Sequence, residues 1–209
     1  DELRKPENAV KNLRVADGLQ AQLFASEPMM TNPTDMDIDD RGRIWLCEAY
    51  NYRPEINGNP TKKEGDRILI LEDADGDGKP DKSTVFYQGP EVESPLGIWV
   101  MGNRALVSQS PYMWLFTDED GDDKADKKEI ILQGVGGHQH DHGLHAVVFG
   151  PDGKFYFNFG NAGEMLQDSK GQTIKDADGK EIDPKNYRQG MVFRCDADFT
   201  HFEVLGHNF

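Results

Sequence analysis

Residues 143–161 read GLHAVVFGPDGKFYFNFGN. In this stretch apolar residues alternate with other residues on both sides of a Pro-Asp-Gly turn, which is the pattern of a β-hairpin. Two earlier stretches have the same form, NPTDMDIDDRGRIWLCEA at 32–49 and SPLGIWVMGNRALVSQS at 94–110. The fold is therefore expected to be built from a repeated hairpin.

A second pair of strand-like segments follows each hairpin, again about an Asp-rich turn in most cases. The three second pairs are DRILILEDADGDGKPDKSTVFYQG, YMWLFTDEDGDDKADKKEIILQGV and GMVFRCDADFTHFEVLGHNF. Four strands repeated in this way are the unit of a β-propeller. The sequence predicts an all-β fold, a partial β-propeller of about three four-stranded blades. The remainder of the propeller is expected to come from sequence outside this chain.

The predicted organisation has a helical lead-in and a propeller part. Residues 1–19 form the lead-in, with a short helix that begins at Pro6, and residues 20–209 form the partial propeller. The blade units are expected at about 32–90, 94–135 and 143–209. Residues 19–26, LQAQLFAS, are predicted as a strand, and the polar insertion at 162–189 as a surface excursion.

Composition limits the function classes. The formal charge of -15 disfavours nucleic acid as a partner and favours divalent cations. No apolar run approaches the ~20 residues that a membrane-spanning helix needs. Cys47 and Cys195 lie in separate strand-like segments, and either two buried thiols or one disulfide agrees with their pattern.

Two Asp-rich loops have the ligand spacing of calcium loops. The candidate ligands of the first loop are Asp73, Asp75, Asp77, the Lys79 carbonyl and Asp81. Those of the second loop are Asp118, Asp120, Asp122, Lys124, Asp126 and Glu129. Asp123 stands where such loops usually have Gly. The alternative is an acidic hairpin turn that needs no metal.

Histidines precede the third hairpin in the segment GGHQHDHGLH at 136–145. In an extended chain His138, His140 and His142 would project on one side, about 6–7 Å apart. His145 joins them if the backbone turns at Gly143. This spacing suits a shared metal or a bound ligand.

The segment HGLHAVVFGPDGKFYFNFGN resembles a segment of the glucose and sorbosone dehydrogenases, which are propellers that use pyrroloquinoline quinone. The resemblance implies that His142 is the catalytic base and that Asn161 replaces an Asp of that family. The cofactor-binding positions expected with it are His138, His140, His145, Asn161, Glu48 and Arg53. The residues that clamp the quinone are expected mostly beyond Phe209.

The chain is also similar, over nearly its whole length, to the N-terminal domain of secreted proteins of Planctomycetes and Verrucomicrobia known as membrane-bound dehydrogenases. The motifs that carry this similarity are NPTDMDIDDRGRIWLCEAYNYR, GDRILILEDADGDGKPDK and GLHAVVFGPDGKFYFNFGN. The resemblance implies a secreted or periplasmic oxidoreductase that takes a sugar or related alcohol. Its electrons would go to a quinone or to a c-type haem domain or protein.

Two other functions agree with the same residues. One is a calcium-stabilised propeller without catalytic activity that binds carbohydrate or protein. The other is a metal-dependent hydrolase or lyase built on the histidines. Fold alone does not decide between these functions.

Overall fold

The computed structural model describes residues 2, 5–58, 60–136, 142–161, 163–188 and 190–208. Helix α1 (Pro6–Ala9) continues into a 3-10 helix (Val10–Asn12), and α2 (Pro54–Asn57) lies between two strands of the first sheet. Pro6 and Pro54 each begin a helix, a position where the missing N–H costs nothing. The described part of the chain is otherwise strands and loops.

Three antiparallel sheets follow one another along the chain. The first has the order β1 (Pro33–Ile38), β2 (Ile44–Glu48), β3 (Arg67–Glu72) and β4 (Lys82–Gln88). The second contains β5 (Gly97–Met101), β6 (Arg104–Gln109), β7 (Tyr112–Thr117) and β8 (Lys127–Gln133). The third has β9 (Leu144–Phe149), β10 (Lys154–Phe159), β12 (Met191–Asp196) and β13 (Glu203–His207) in that order. The predicted all-β propeller with a short N-terminal helix is confirmed.

The innermost strands β1, β5 and β9 bring the sheets together. Carboxylate oxygens on β1 accept backbone N–H groups of β5, Asp35 from Ile98 at 3.0 Å and Asp37 from Val100 at 2.7 Å. The Ser108 hydroxyl donates to the Leu144 carbonyl of β9 at 2.8 Å. Strand β5 therefore lies between β1 and β9, and the sheets are consecutive blades of an arc.

Apolar side chains that alternate along the strands fill the two junctions between blades. The first junction contains Trp45, Ile68, Ile98 and Phe116, and the second contains Leu106, Met113, Phe157 and Phe193. Burial of one large apolar side chain contributes about 1.5–3 kcal/mol. The two junctions thus hold most of the buried apolar side chains of the described residues.

The insertion differs from the prediction of a surface excursion. Leu166 and Ile182 are fully buried in the second junction, and β11 (Gln167–Asp168) pairs with β8 as a fifth strand of the second sheet. The prediction failed because these few apolar residues are separated by polar turns. The predicted strand at 19–26 is also wrong, since these residues have no regular structure. Phe24 and Ala25 instead pack on the first sheet.

The strand directions give the blades two distinct ends. At one end, which we call the mouth end, β1, β5 and β9 begin beside the last residues of β2, β6 and β10, with Pro33 opposite Glu48 and Gly97 opposite Ser108. At the other end, the turn end, lie the turn at 39–43 and the loops 73–81 and 118–126. His142 and the Asp-rich loops therefore lie at opposite ends.

Both cysteines are free and buried, Cys47 in the first junction and Cys195 in the second. Burial raises the pKa of Cys195 to about 12 and raises that of Cys47 well above its usual range. Both thiols stay protonated and act as small apolar groups. None of the described helices has the length and apolar character to cross a membrane.

Gly97 permits the close approach of the second and third blades. A Cβ atom at this position would overlap the His145 carbonyl oxygen of β9. We expect Gly97→Ala to lower the free energy of unfolding by about 1–3 kcal/mol, because backbone must move to relieve the overlap. Denaturant unfolding measures this change. Met101→Ala, at the exposed end of the same strand, should change stability by less than about 0.5 kcal/mol. Equal effects of the two substitutions would contradict this account.

Candidate functional site at the mouth end

His142 lies just before β9 and is exposed at the mouth end. Its Nδ1 atom is 2.7 Å from Oδ1 of Asn161, which follows β10. An amide oxygen only accepts, so with the Asn161 amide oriented in this way Nδ1 carries the proton and Nε2 is the unprotonated ring nitrogen. The structure thus brings together two of the predicted site residues.

Close packing of backbone fixes the position of His142. The N–H of Gly160 donates to the Gly143 carbonyl at 2.8 Å, and a Cβ at Gly160 would overlap the His142 carbonyl oxygen. Only glycine allows the end of β10 to approach residues 142–143 this closely. The Gly160-Asn161 pair therefore sets both the backbone and the side chain of this segment.

His145 lies within β9 and is half-buried. Burial raises the pKa of the nearby Asp35 carboxyl, while the backbone N–H of Ile98 and the charge of His145 act in the opposite direction. His145 therefore interacts electrostatically with the innermost strand of the first blade. His138 and His140 lie outside the described residues.

A cavity of about 370 Å³ opens at the mouth end where the three blades meet. Asn51, Arg53 and Glu55 line it from the first blade, and Glu93, Ser94, Gln109 and Ser110 from the second. Gly136 and Glu164 line it on the side of the third blade. The lining is mostly polar, which suits a small ligand with many hydroxyl groups.

Arg53, one of the predicted cofactor-binding residues, lines this cavity, whereas Glu48, another of them, does not. Glu48 is 1% exposed and accepts from Arg67 Nε at 2.5 Å, from Arg67 Nη2 at 2.9 Å and from the Thr31 N–H at 2.6 Å. A carboxylate held by this many donors stabilises the strand ends. We assign Glu48 no contact with a ligand.

Asp66 holds two segments of the cavity wall. Its carboxylate accepts the N–H of Asn51 at 3.0 Å and that of Ser94 at 2.7 Å. Burial raises the pKa of Asp66, against the effect of these hydrogen bonds. Ser94 adopts a left-handed backbone conformation with φ 53°. The wall is therefore fixed before any ligand binds.

At the turn end, the loop 73–81 gathers carboxylate oxygens of Asp73, Asp75 and Asp81 within 4.8 Å of one another. Asp73 also accepts the N–H groups of Gly76 and Gly78, both at 2.8 Å. Asp77 is not in this group, and its Oδ1 accepts the Lys79 N–H at 2.8 Å. The backbone thus already turns about a common centre, as in a calcium loop.

The second loop has the same geometry. Asp118, Asp120 and Asp126 form its group, while the Asp122 carboxylate accepts from the Lys124 ammonium at 3.0 Å. Glu129 lies on β8, where it pairs with Lys127 at 2.8 Å. The carboxylates of Asp118, Asp120 and Asp126 thus occupy the same loop positions as the three grouped carboxylates of the first loop.

Asp123 stands at the usual Gly position and adopts φ 64°, as Gly78 adopts φ 84° in the first loop. Its carboxylate pairs with Nη1 of Arg43 at 2.7 Å. The ion pair with the first blade explains why a strained non-glycine residue occupies this position. The departure from the calcium pattern therefore has a structural reason in the contact between blades.

Comparison with sequence families gives one match, a family model described as domain of unknown function DUF7133, over residues 5–195. The chain belongs to the DUF7133 family. A search of curated proteins finds no match.

Solved structures share the fold of this DUF7133 chain. The PQQ domain of Coprinopsis cinerea pyranose dehydrogenase, in its holo form, aligns with a TM-score of 0.61 and 16% identity over 93% of this chain and 42% of that one. An iodide structure of a Trichoderma reesei carbohydrate-active enzyme of family AA12 aligns with a TM-score of 0.55 and 14% identity over 90% and 43%. A calcium structure of a Trichoderma reesei enzyme of the same family aligns with a TM-score of 0.52 and 16% identity, over 82% of this chain and 46% of that one. The chain thus spans less than half of the proteins it matches.

Several cavity residues escaped prediction from the sequence. Glu93 and Ser94 lie on the connection between the first two blades, Ser110 follows β6, and Glu164 belongs to the insertion. No local motif marks these positions. These positions could have been found from the hairpin repeat alone, because the residues before each innermost strand and after each second strand lie at the mouth end.

Proposed function

We propose that this domain is part of an oxidoreductase that oxidises a sugar or related alcohol at the mouth end. The contact between His142 and Asn161 is the observation that carries the proposal. The polar cavity and the fold shared with a pyranose dehydrogenase domain support it. Export and a c-type haem partner, which the family resemblance of the sequence implies, are further parts of the proposal.

Alcohol oxidation breaks an O–H and a C–H bond and forms a carbonyl group. His142 Nε2 takes the hydroxyl proton, and Asn161 keeps the imidazole in the tautomer that can accept it. A two-electron acceptor of the quinone class, if bound in the intact protein, would supply the chemistry for removing the C–H hydrogen as hydride. The residues of this chain thus account for the proton.

The cavity itself does not suit pyrroloquinoline quinone. This cofactor is a tricarboxylate, and the described lining holds Glu55, Glu93 and Glu164 against a single guanidinium, that of Arg53. Like charges brought together in this way are destabilising. We therefore place the acceptor outside this cavity and derive no step through it.

We also propose that calcium binds the Asp-rich loops at the turn end. In the first loop Asp73, Asp75 and Asp81 would supply carboxylate oxygens, with Asp77 and the Lys79 carbonyl completing the set. In the second loop Asp118, Asp120 and Asp126 would do so, with Asp122 and Lys124 nearby. The bound cation would relieve repulsion between the carboxylates and tie strand ends together.

Removal of the first calcium site is expected to affect stability only. In calcium, Asp75→Ala should lower Tm by about 5–10 °C, which corresponds to losing a ligand present near 100 times its Kd. Thermal unfolding with calcium and with a chelator measures the difference. Asp178→Ala is the matched control, since Asp178 is exposed in an Asp-Gly turn of the insertion. If calcium leaves the Tm of the parent unchanged, this part of the proposal is wrong.

A second candidate function is a calcium-stabilised propeller that binds carbohydrate or protein without catalysis. The acidic lining of the cavity favours it, because this lining binds a polar ligand while opposing an anionic quinone. The test is sugar-dependent reduction of an added quinone by the intact protein, with calcium supplied. Reduction supports the oxidoreductase, and sugar binding without reduction supports the binding propeller.

A further inference from the structure

Carboxylates from separate parts of the chain converge on the cavity at the mouth end. Glu55 comes from α2, Glu93 from the connection between the first and second blades, and Glu164 from the insertion. Arg53 is the one positively charged residue among the described lining residues. The lining therefore carries a net negative charge that a cationic ligand would reduce.

A buried hydroxyl in the same cavity offers a hydrogen-bonding group to a ligand. Ser94 is 2% exposed and lines the cavity, and its hydroxyl has no hydrogen-bond partner among the described residues. A buried polar group without a partner is unfavourable and rare. Its left-handed backbone and the hydrogen bond from its N–H to Asp66 hold Ser94 in this position. The Ser94 hydroxyl is thus held at the cavity wall by the fold itself.

The remaining wall defines the shape and polarity of the ligand. Gln109 and Ser110 add hydrogen-bonding groups on the side of the second blade, and Pro111 adds a small apolar surface. The volume of about 370 Å³ is at the low end of the range for small-molecule sites. A single sugar ring satisfies both the size and the number of polar groups.

We infer that the cavity selects amino sugars, whose protonated amine faces Glu55, Glu93 and Glu164 while a ring hydroxyl pairs with Ser94. Neutral sugars bind more weakly, and sugar acids are excluded by the same carboxylates. This inference rests on the proposed function for the identity of the site, and it names the class of substrate.

Binding measurements test this selectivity without any need for turnover. Titration calorimetry on the intact protein would compare glucosamine, glucose and glucuronate at about pH 6, where an amine of this kind is protonated. We expect glucosamine to bind about tenfold more tightly than glucose, and glucuronate to show no measurable binding. The advantage of glucosamine should shrink as salt is added.

Variants of the wall separate charge from hydrogen bonding. Glu93→Gln and Glu164→Gln should each reduce the preference for glucosamine over glucose about threefold, whereas Glu7→Gln, on the exposed surface of α1, should leave it unchanged. Ser94→Gly keeps the left-handed backbone and removes the hydroxyl. It should weaken both sugars equally and leave Tm unchanged or raised.

The outcomes distinguish this inference from the proposed function. Preferential binding of glucosamine without oxidation of any sugar would support the selectivity and overturn the oxidoreductase. Oxidation of neutral sugars with equal affinity for glucose and glucosamine would overturn the selectivity and keep the oxidoreductase. Glucuronate binding as tight as glucosamine binding would also overturn it.

Discussion

His142→Ala is expected to lower kcat/KM for sugar oxidation by the intact protein by about 10²–10⁴-fold, the range for loss of a general base. The reason is that the proposed proton acceptor is Nε2 of His142, the ring nitrogen that does not contact Asn161. Because His142 is exposed, the free energy of unfolding should change by less than about 0.5 kcal/mol. Steady-state kinetics and denaturant unfolding of the same preparation measure the two effects.

His201→Ala provides the matched control for this prediction. His201 is also exposed and also contacts a side-chain oxygen, since its Nδ1 is 2.8 Å from Asp196, but it lies at the turn end. We expect this variant to keep the activity of the parent. A loss of activity shared by both histidine variants, or full activity in His142→Ala, would exclude His142 as the base.

Arg43→Ala is expected to lower the free energy of unfolding by about 3–5 kcal/mol, the usual cost of leaving one partner of a buried ion pair unpaired. Arg43 Nε contacts Asp39 at 2.7 Å, and the exposed fractions of the two side chains are 6% and 1%. The same guanidinium binds Asp123 at 2.7 Å and so joins the first blade to the second. Denaturant unfolding of the variant measures the loss.

Arg41→Ala is the control for Arg43, because Arg41 lies in the same turn and is exposed. Its removal should change the free energy of unfolding by less than about 0.5 kcal/mol. Similar losses for the two variants would mean that the turn needs positive charge in general. In that case the buried ion pair would not be the cause.

The effect of Arg43 should depend on pH. Burial alone would raise the pKa of Asp39, but hydrogen bonds from the Trp45 indole and from Arg43 outweigh it and lower the pKa. Burial also tends to raise the pKa of Asp123, but Arg43 and Lys82 outweigh this effect, so the pKa of Asp123 is lowered as well. A carboxyl group whose pKa is lowered by folding stabilises the folded state at a pH above the pKa of the unfolded chain, about 3.9. This contribution is lost as the pH falls through the lower pKa of the folded state. The difference between parent and Arg43→Ala should therefore shrink below about pH 4.

The fold was largely predictable because hairpin patterns depend on local sequence. Alternation in KFYFNF predicts that Phe155, Phe157 and Phe159 are buried, and the Pro-Asp-Gly turn predicts that this strand pairs with β9. The insertion was misjudged because Leu166 and Ile182 are isolated apolar residues whose partners lie far away in sequence. Their burial depends on the edge of β8, which no local pattern describes.

The candidate site was predictable only in part. A resemblance of one segment pointed to His142 and Asn161, and the structure places them in contact. The cavity depends on residues from all three blades, such as Arg53, Ser94 and Glu164, which meet only after the blades pack. At Asp123 the sequence departs from the calcium pattern, and only the structure shows the reason, which is the ion pair with Arg43.

The most direct test of the proposed oxidoreductase is reduction of added quinone by the intact protein under anaerobic conditions, with calcium present and a sugar as the only reductant. Our account predicts reduction that depends on the sugar, falls about 10²–10⁴-fold in His142→Ala and persists in His201→Ala. An intact, folded and calcium-loaded protein that reduces no quinone with neutral or amino sugars would contradict it.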